Sequence, residues 1–554
     1  MGDKRRKFLG VMAGGSLLLA GIMGNMCGLS EVRAETGKST GMYADTGMDT
    51  DTTYLKCATY FSDAWPMNFW NSESVHMKEE LRQIAADGFN GIILAVPWRE
   101  FQPKTSPVKY NPYAWEKLDA VMQAAQEAGL VVYLRVGYTW DYYDEQESCL
   151  ERYRELVTDK TVRSAWIEYA KTLYQAVEKY PNFVGGFMTW EDFWEFTNTN
   201  AIDRNSSKGL EISQKSGYAR YAVEQYSLDE LSRIYGQTIY GEYRLPLPEQ
   251  GTGAMRVFFE FYDDFLMQLL KDTQQVFPGL SMEVRADADY LVDADGTGFY
   301  YGHSSTYGCG DAAYTAMMYG VPMGFANQGE RVSAAEAARM TDRILESVRE
   351  QAGKPLFVEQ FLFVDNTPGL EKNAQVKEAE VPAYLSRMAV VLEKYSMGYG
   401  IWTYRNYCNN KLYNAQFALG SERWKMNAWA EIVSDDGNKK VHLTEGGMIS
   451  QSVSGSFEEG KPVYMRFQAE SDAPCQIAVT LGRETQTVLV DGKQEVCLTF
   501  TADSVWYAAW KSDGDVYLDD MNVYTYVQDG MLYEMDGTEG SCIEAVRQLN
   551  ERLK

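Results

Sequence analysis

A chain of 554 residues, 45% hydrophobic and 23% charged, is long enough for one large core and a smaller module. A net charge of −26 excludes binding to nucleic acid through a basic face, and His76, His303 and His442 are too scattered to read as a metal motif. Aromatics at 13%, with 13 Trp and 38 Tyr, are abundant enough to thicken a core or to line a sugar-binding cleft.

Residues 1–34 read as an export signal. Lys4, Arg5, Arg6 and Lys7 form a basic start, residues 8–23 an apolar run, and Val32-Arg33-Ala34 a small-residue cleavage site. Arg5-Arg6-Lys7-Phe8-Leu9 resembles the twin-arginine motif, whose route carries folded proteins. The expectation is a secreted or cell-surface protein. An uncleaved signal anchor is the alternative, although the apolar run is short for a spanning helix. Residues 35–53, rich in Gly, Thr and Asp, read as a linker. The eight cysteines contain no CxxC pair and predict no dense disulfide framework. Cys475 and Cys497 fall in one module, and read either as a pair or as buried thiols.

From residue 54 short apolar runs alternate with longer amphipathic ones. Strands are predicted at 54–60, 89–98, 130–138, 183–196, 280–286, 313–319, 355–361 and 398–404. Helices are predicted at 74–87, opened by a Ser74 cap, at 112–128, at 162–180 and over much of 216–275. Eight strand–helix units predict a (β/α)₈ barrel, here over 54–435. The lack of GxGxxG or GxxxxGK[ST] after an early strand removes the usual dinucleotide and phosphate-loop readings, so no cofactor is expected. After about residue 437 short alternating runs at 463–469, 476–480, 487–490, 494–501 and 516–524 predict a small β-sandwich. That module, 436–554, ends in an amphipathic helix at 541–554.

In such a barrel, chemistry sits at the C-terminal ends of strands. Glu191 closes the fourth apolar run and Glu359 the seventh. These positions, with Trp402 on the eighth strand, resemble clan A of the glycoside hydrolases, family 5 and its relatives. The resemblance covers about residues 54–430 and rests on position and order. It implies Glu191 as acid/base, Glu359 as nucleophile and Trp402 as the floor of a sugar site. It departs at Trp190, where the clan usually has an Asn reaching the sugar 2-hydroxyl.

The chemistry of the residues supports the same pair. Glycosidic cleavage through an oxocarbenium-like transition state needs one carboxyl to protonate the leaving oxygen and one carboxylate at the anomeric carbon. Trp190 and Phe193 give Glu191 an apolar setting that would keep it protonated. Arg135 or Arg285 would hold Glu359 ionised, and Tyr319 would donate to it; both arginines equally fit structural ion pairs. Glu283 shares a strand face with Arg285 and reads as its partner, while Asp192 and Glu195 read as solvated loop acids. Trp65, Trp70, Trp98, Trp140 and the tyrosines between 290 and 307 fall in strand-end loops and are candidate stacking surfaces. The reading is an exported retaining β-glycosidase acting on an oligo- or polysaccharide. The alternatives are a non-catalytic carbohydrate-binding scaffold and a transglycosylase.

Overall fold

The computed structural model describes the chain from Tyr54 to Leu553, apart from 139–148, 190–206, 286–288, 313, 321–325, 327–328, 365–372, 436, 454–456, 502–506 and 529–531. The export signal and linker lie outside the described residues.

Eight strands close into one barrel: β1 (Leu55–Thr59), β2 (Gly91–Val96), β3 (Val131–Val136), β4 (Phe183–Met188), β5 (Ser281–Arg285), β6 (Thr315–Gly320), β7 (Leu356–Leu362) and β8 (Ser396–Ile401). Every neighbouring pair is parallel, and β8 returns to β1. All eight predicted strands are present, with bounds that differ by one to a few residues; the predicted fourth strand is described to Met188, and its expected continuation from 190 lies outside the described residues.

Alternation along the strands sorts the side chains. Cys57, Ile93, Tyr133, Phe187, Tyr314, Ala316 and Phe357 point inward and fill the barrel as a core of their own. The residues between them point outward to the helices, among them α1 (Met77–Ala86), α2 (Pro112–Glu127), α3 (Lys160–Val177), α4 (Met255–Gln274), α5 (Ala334–Ala352) and α6 (Val381–Tyr395). Helix ends follow local chemistry. Ser333 caps α5 by accepting from the Glu336 backbone N–H, and Gly353 ends it at φ 64°. Ser74 does not cap α1: its hydroxyl accepts from Lys117 Nζ at 2.8 Å, and the helix begins at Met77 behind His76.

The C-terminal region is an antiparallel sheet. Its strands are β9 (Tyr407–Asn410), β10 (Lys425–Met426), β11 (Ala430–Asp435), β12 (Asn438–Leu443), β13 (Met448–Ser452), β14 (Pro462–Leu481), β15 (Glu484–Thr501), β16 (Tyr507–Ser512) and β17 (Val516–Val527). Four of the short runs expected from sequence merge into two long strands, because β14 passes a break in register between Ser471 and Cys475 instead of turning. Beyond that break β14 exchanges its partner from β17 to β16, so the sheet bends around its own apolar core. Cys475 and Cys497 are free thiols, the first buried and the second exposed. The expected alternative of a disulfide between them is not formed.

The last helix, α7 (Ile543–Arg552), belongs to the barrel rather than to the sheet. Lys56 of β1 donates to the carbonyls of Asn550 and Leu553, and Tyr399 of β8 donates to Asn550 Oδ1 at 2.6 Å. Asn550 in turn donates to the Asp87 carbonyl, and Arg547 Nε meets Asp87 Oδ1 at 2.8 Å. Ile543, Val546, Leu549 and Leu553 are buried in the barrel's outer core. Helix α7 thus covers β8 and β1, the place of the eighth helix, and the whole sheet is inserted between strand eight and helix eight.

Candidate active site

One pleat above the apolar filling, the same strand faces turn polar. Tyr133 is followed two residues on by Arg135, Phe187 by Thr189, Ser281 by Glu283 and Phe357 by Glu359. All four polar side chains are buried: Arg135 is 3% exposed, Thr189 and Glu283 0%, and Glu359 2%. This layer lies at the C-terminal mouth of the barrel, where a (β/α)₈ fold places its chemistry.

Glu359 owes its position to an irregularity in β7. Met317 of β6 pairs with Val358 and Met318 with Gln360, which leaves Glu359 as the extra residue of a bulge. The other edge slips too, from Val358↔Tyr399 to Phe361↔Ile401. A bulge re-aims one side chain without disturbing the strands around it. Gly400 of β8 makes room: a Cβ there would sit 2.7 Å from the Glu359 carbonyl and 2.2 Å from Ile93 Cδ1.

Arg135 Nη2 meets Glu283 Oε2 at 2.9 Å, and Thr189 donates to the same oxygen at 3.4 Å. Arg135 reaches the carboxylate from across the strands, because both point into the same interior layer; the expected Glu283–Arg285 pair involves a side chain outside the described residues. Arg285 and Tyr319 fall at the ends of β5 and β6, and only their backbones are described. The Arg135 guanidinium also lies 4.5 Å from the centroid of the Tyr138 ring.

From Tyr138 an aromatic wall runs round the mouth to β8. Trp65 lies 6.5 Å from Tyr138, 6.0 Å from Trp402 at 89°, and 5.2 Å from Tyr407. Phe61 touches Trp402 at 5.5 Å and Tyr407 at 5.3 Å. Trp402 follows β8 at the mouth beside the Glu359 strand, its backbone N–H donating to the Phe361 carbonyl at 3.3 Å, and it is 6% exposed. Tyr138, Phe61 and Tyr407 carry no sequence signal for such a role. Thr189 could have been found by counting on two from Phe187.

Four expected site residues stand apart from this arrangement or outside the described residues. Trp98 is fully buried, its indole N–H donating to Gln102 and its ring packed edge-on against Trp166 at 5.1 Å. It faces the helical layer because the chain turns into a short helix after β2, so it is core and not a stacking surface. Glu191, Trp190 and Trp140, with Asp192, Phe193 and Glu195, lie outside the described residues.

Beside the mouth, on that short helix, sits the buried carboxyl of Glu100. Burial raises its pKa to about 7, and the charges of Arg99 and Arg152 pull it back. Farther round, between β5 and β6, the hairpin of Asp289–Val292 and Gly298–Tyr301 is held by His303. That buried imidazole bonds Asp263 at 2.9 Å and Asp289 at 3.1 Å. Tyr290 and Tyr300 lie on the hairpin's outer face, about half exposed. No group of three or more His, Cys, Asp or Glu among the described residues could hold a metal ion.

No family model matches the chain, and no curated protein matches it. Solved structures similar to it are glycoside hydrolases. One is GH5_18 from Streptomyces cattleya in complex with GlcNAc, 17% identical, covering 64% of this chain and 72% of that one at a TM-score of 0.40. Another is the exo-beta-1,4-mannosidase Op5Man5 from Opitutaceae bacterium strain TAV5, 12% identical, covering 66% and 56% at 0.41. A third is the beta-galactosidase from the psychrophilic Marinomonas ef1, 10% identical, covering 63% and 54% at 0.45.

Proposed function

We propose that the protein is an exported retaining β-glycosidase that hydrolyses O-glycosidic bonds of an oligo- or polysaccharide. The observation that carries the proposal is Glu359: a carboxylate at a strand-seven bulge, 2% exposed, set above an apolar barrel filling and beside an aromatic wall. Burying a carboxylate is costly, and a fold that needed only stability would place an apolar residue there. The sequence of residues 1–34 supports export.

In the proposed reaction a Glu359 oxygen attacks the anomeric carbon while Glu191 gives its proton to the departing glycosidic oxygen. The bond to the leaving sugar breaks with its electron pair, and a glycosyl ester on Glu359 forms. Water then attacks the same carbon, Glu191 takes its proton, and the Glu359 carboxylate is released. Retention implies carboxyl groups about 5–5.5 Å apart. Trp402 would floor the sugar, and Arg135, Arg285 and Tyr319 are proposed to hold charge and hydroxyls around Glu359. With Trp190 in place of the usual Asn, the 2-hydroxyl would be met by another residue. Arg135, in the same interior layer, spends one nitrogen on Glu283, and this pair also fixes the guanidinium in place.

The test is a panel of 2-deoxy-2-fluoro-β-glycosyl fluorides, each incubated with the protein and followed by peptide mass spectrometry. The expected result is one added sugar on the peptide holding Glu359. A label on another residue, or no turnover of any β-glycoside by the parent, rejects the proposal.

A further inference from the structure

Strand β7 carries two interior side chains in succession. Phe357 belongs to the apolar filling of the barrel, and Val358 turns outward into the helix-facing core. Phe361 also points outward, stacked on Tyr384 of α6 at 5.9 Å and set edge-on to Tyr399 of β8 at 5.7 Å. Strict alternation from Val358 would bring Phe361 inward. The bulge removes that conflict by turning Glu359 and Gln360 to the same, interior side. Facing these two residues on β8 is the single Gly400, between Tyr399 and Ile401. The other edge of β7 gives the same answer. Gln360 pairs with Met318 of β6, and Met318 pairs with Arg285 of β5. That row lies two residues beyond the interior pair of Ala316 and Glu283, and so on the same face.

Gln360 is 9% exposed against 2% for Glu359, so it is the more open of the two. Its Oε1 is buried, yet no donor meets it among the described residues. A buried acceptor left unmet is costly, and a Leu or Met of similar size would avoid the cost. The amide is therefore placed for a donor that arrives with a ligand. Glu359, its neighbour, addresses the anomeric carbon in the proposed reaction. Of the two ring neighbours of that carbon, one is the ring oxygen and the other carries the 2-hydroxyl. We infer that Gln360 is a substrate-contacting residue: its Oε1 accepts from the 2-hydroxyl of the sugar that Glu359 attacks, and so selects sugars hydroxylated there. The inference rests on the glycosidase reading, and it supplies from β7 the carboxamide that position 190, a Trp, lacks.

The experiment compares the full chain with Gln360→Met, which keeps the length of the side chain and removes its polar atoms. Two substrates are used: the 4-nitrophenyl β-glycoside that the parent turns over best in a gluco, manno and galacto panel, and its 2-deoxy counterpart. On the hydroxylated glycoside kcat/KM is expected to fall at least about tenfold in the variant, and on the 2-deoxy one to stay within about threefold of the parent. The intrinsic reactivity of the 2-deoxy substrate cancels between parent and variant, so the ratio isolates the contact. An equal loss on both substrates, or no loss on either, overturns the inference and leaves the glycosidase reading standing. If Gln360→Met does not fold, Gln360→Ala takes its place with the same expectations. A parent that turns over no β-glycoside overturns the reading and the inference together, and that failure is read on the parent alone.

Discussion

Phe187 on β4 and Phe357 on β7 face each other across the barrel interior with ring centroids 6.4 Å apart. Tyr133 of β3 stacks on the same Phe357 at 4.9 Å. Three strands distant in sequence therefore converge at one level, and the next inward residue on each is Thr189, Glu359 and Arg135. The apolar rings set the height at which the polar layer begins.

Gly400→Ala would push a methyl group against the Glu359 carbonyl and Ile93. Overpacking of this kind costs about 1–3 kcal/mol. Glycosidase turnover is expected to fall at least about tenfold, because the bulge that aims Glu359 must move. Thermal melting and kcat/KM together check this; full activity would show that the bulge does not set the carboxylate.

Leu549→Ala removes a fully buried side chain from α7. The expected loss is about 2–5 kcal/mol of barrel stability. Denaturant unfolding followed by barrel tryptophan fluorescence measures it. An unchanged barrel transition would mean that α7 is an appendage and not the eighth helix.

Stability should fall in mildly alkaline solution through His303. Burial lowers the affinity of its imidazole for a proton, but the bonds to Asp263 and Asp289 outweigh it and raise the pKa to about 9. An unfolded His titrates near about 6.5, so the stabilisation is complete below that pH and is lost as pH rises toward 9. Melting temperatures from pH 6 to 10 should decline over this window in the parent and flatten in His303→Gln.

Glu100 works in the opposite sense to a paired acid. Burial holds it protonated to about pH 7, while the unfolded group ionises near about 4.5. The folded state binds the extra proton, so Glu100 erodes stability as pH rises from 4.5 to 7. Glu100→Gln is expected to raise the melting temperature at pH 8 and to leave it unchanged at pH 4. An equal shift at both values would point to packing instead of charge.

The barrel strands were legible because inward and outward positions alternate and each run ends at a turn signal. Glu359 reads in the sequence as the close of its run, but β7 continues past it to Leu362, and it is a bulge within the strand that a period-two pattern cannot show. Trp98 stood at a run's end too, but the helix that follows β2 rotates it into the core, and a strand pattern cannot show that. The Arg135–Glu283 pair crosses from β3 to β5, so which cation Glu283 meets depends on closure of the barrel. Tyr407 and Asn410 join the mouth only when a later segment returns to the loop after β1. Nothing local to either residue marks it. Glu191, on which the proposed proton transfer depends, lies outside the described residues, so its role stands on the sequence.

The position of α7 also orders events during synthesis. A ribosome delivers all eight strands and the whole sheet before it delivers residues 543–552. Until then the outward faces of β8 and β1, with Tyr399 and Lys56, have no helix over them. A nascent chain therefore carries an open seam that a holding chaperone would recognise. Any lesion that stops translation within the sheet would leave that outer face of the closed barrel without its helix.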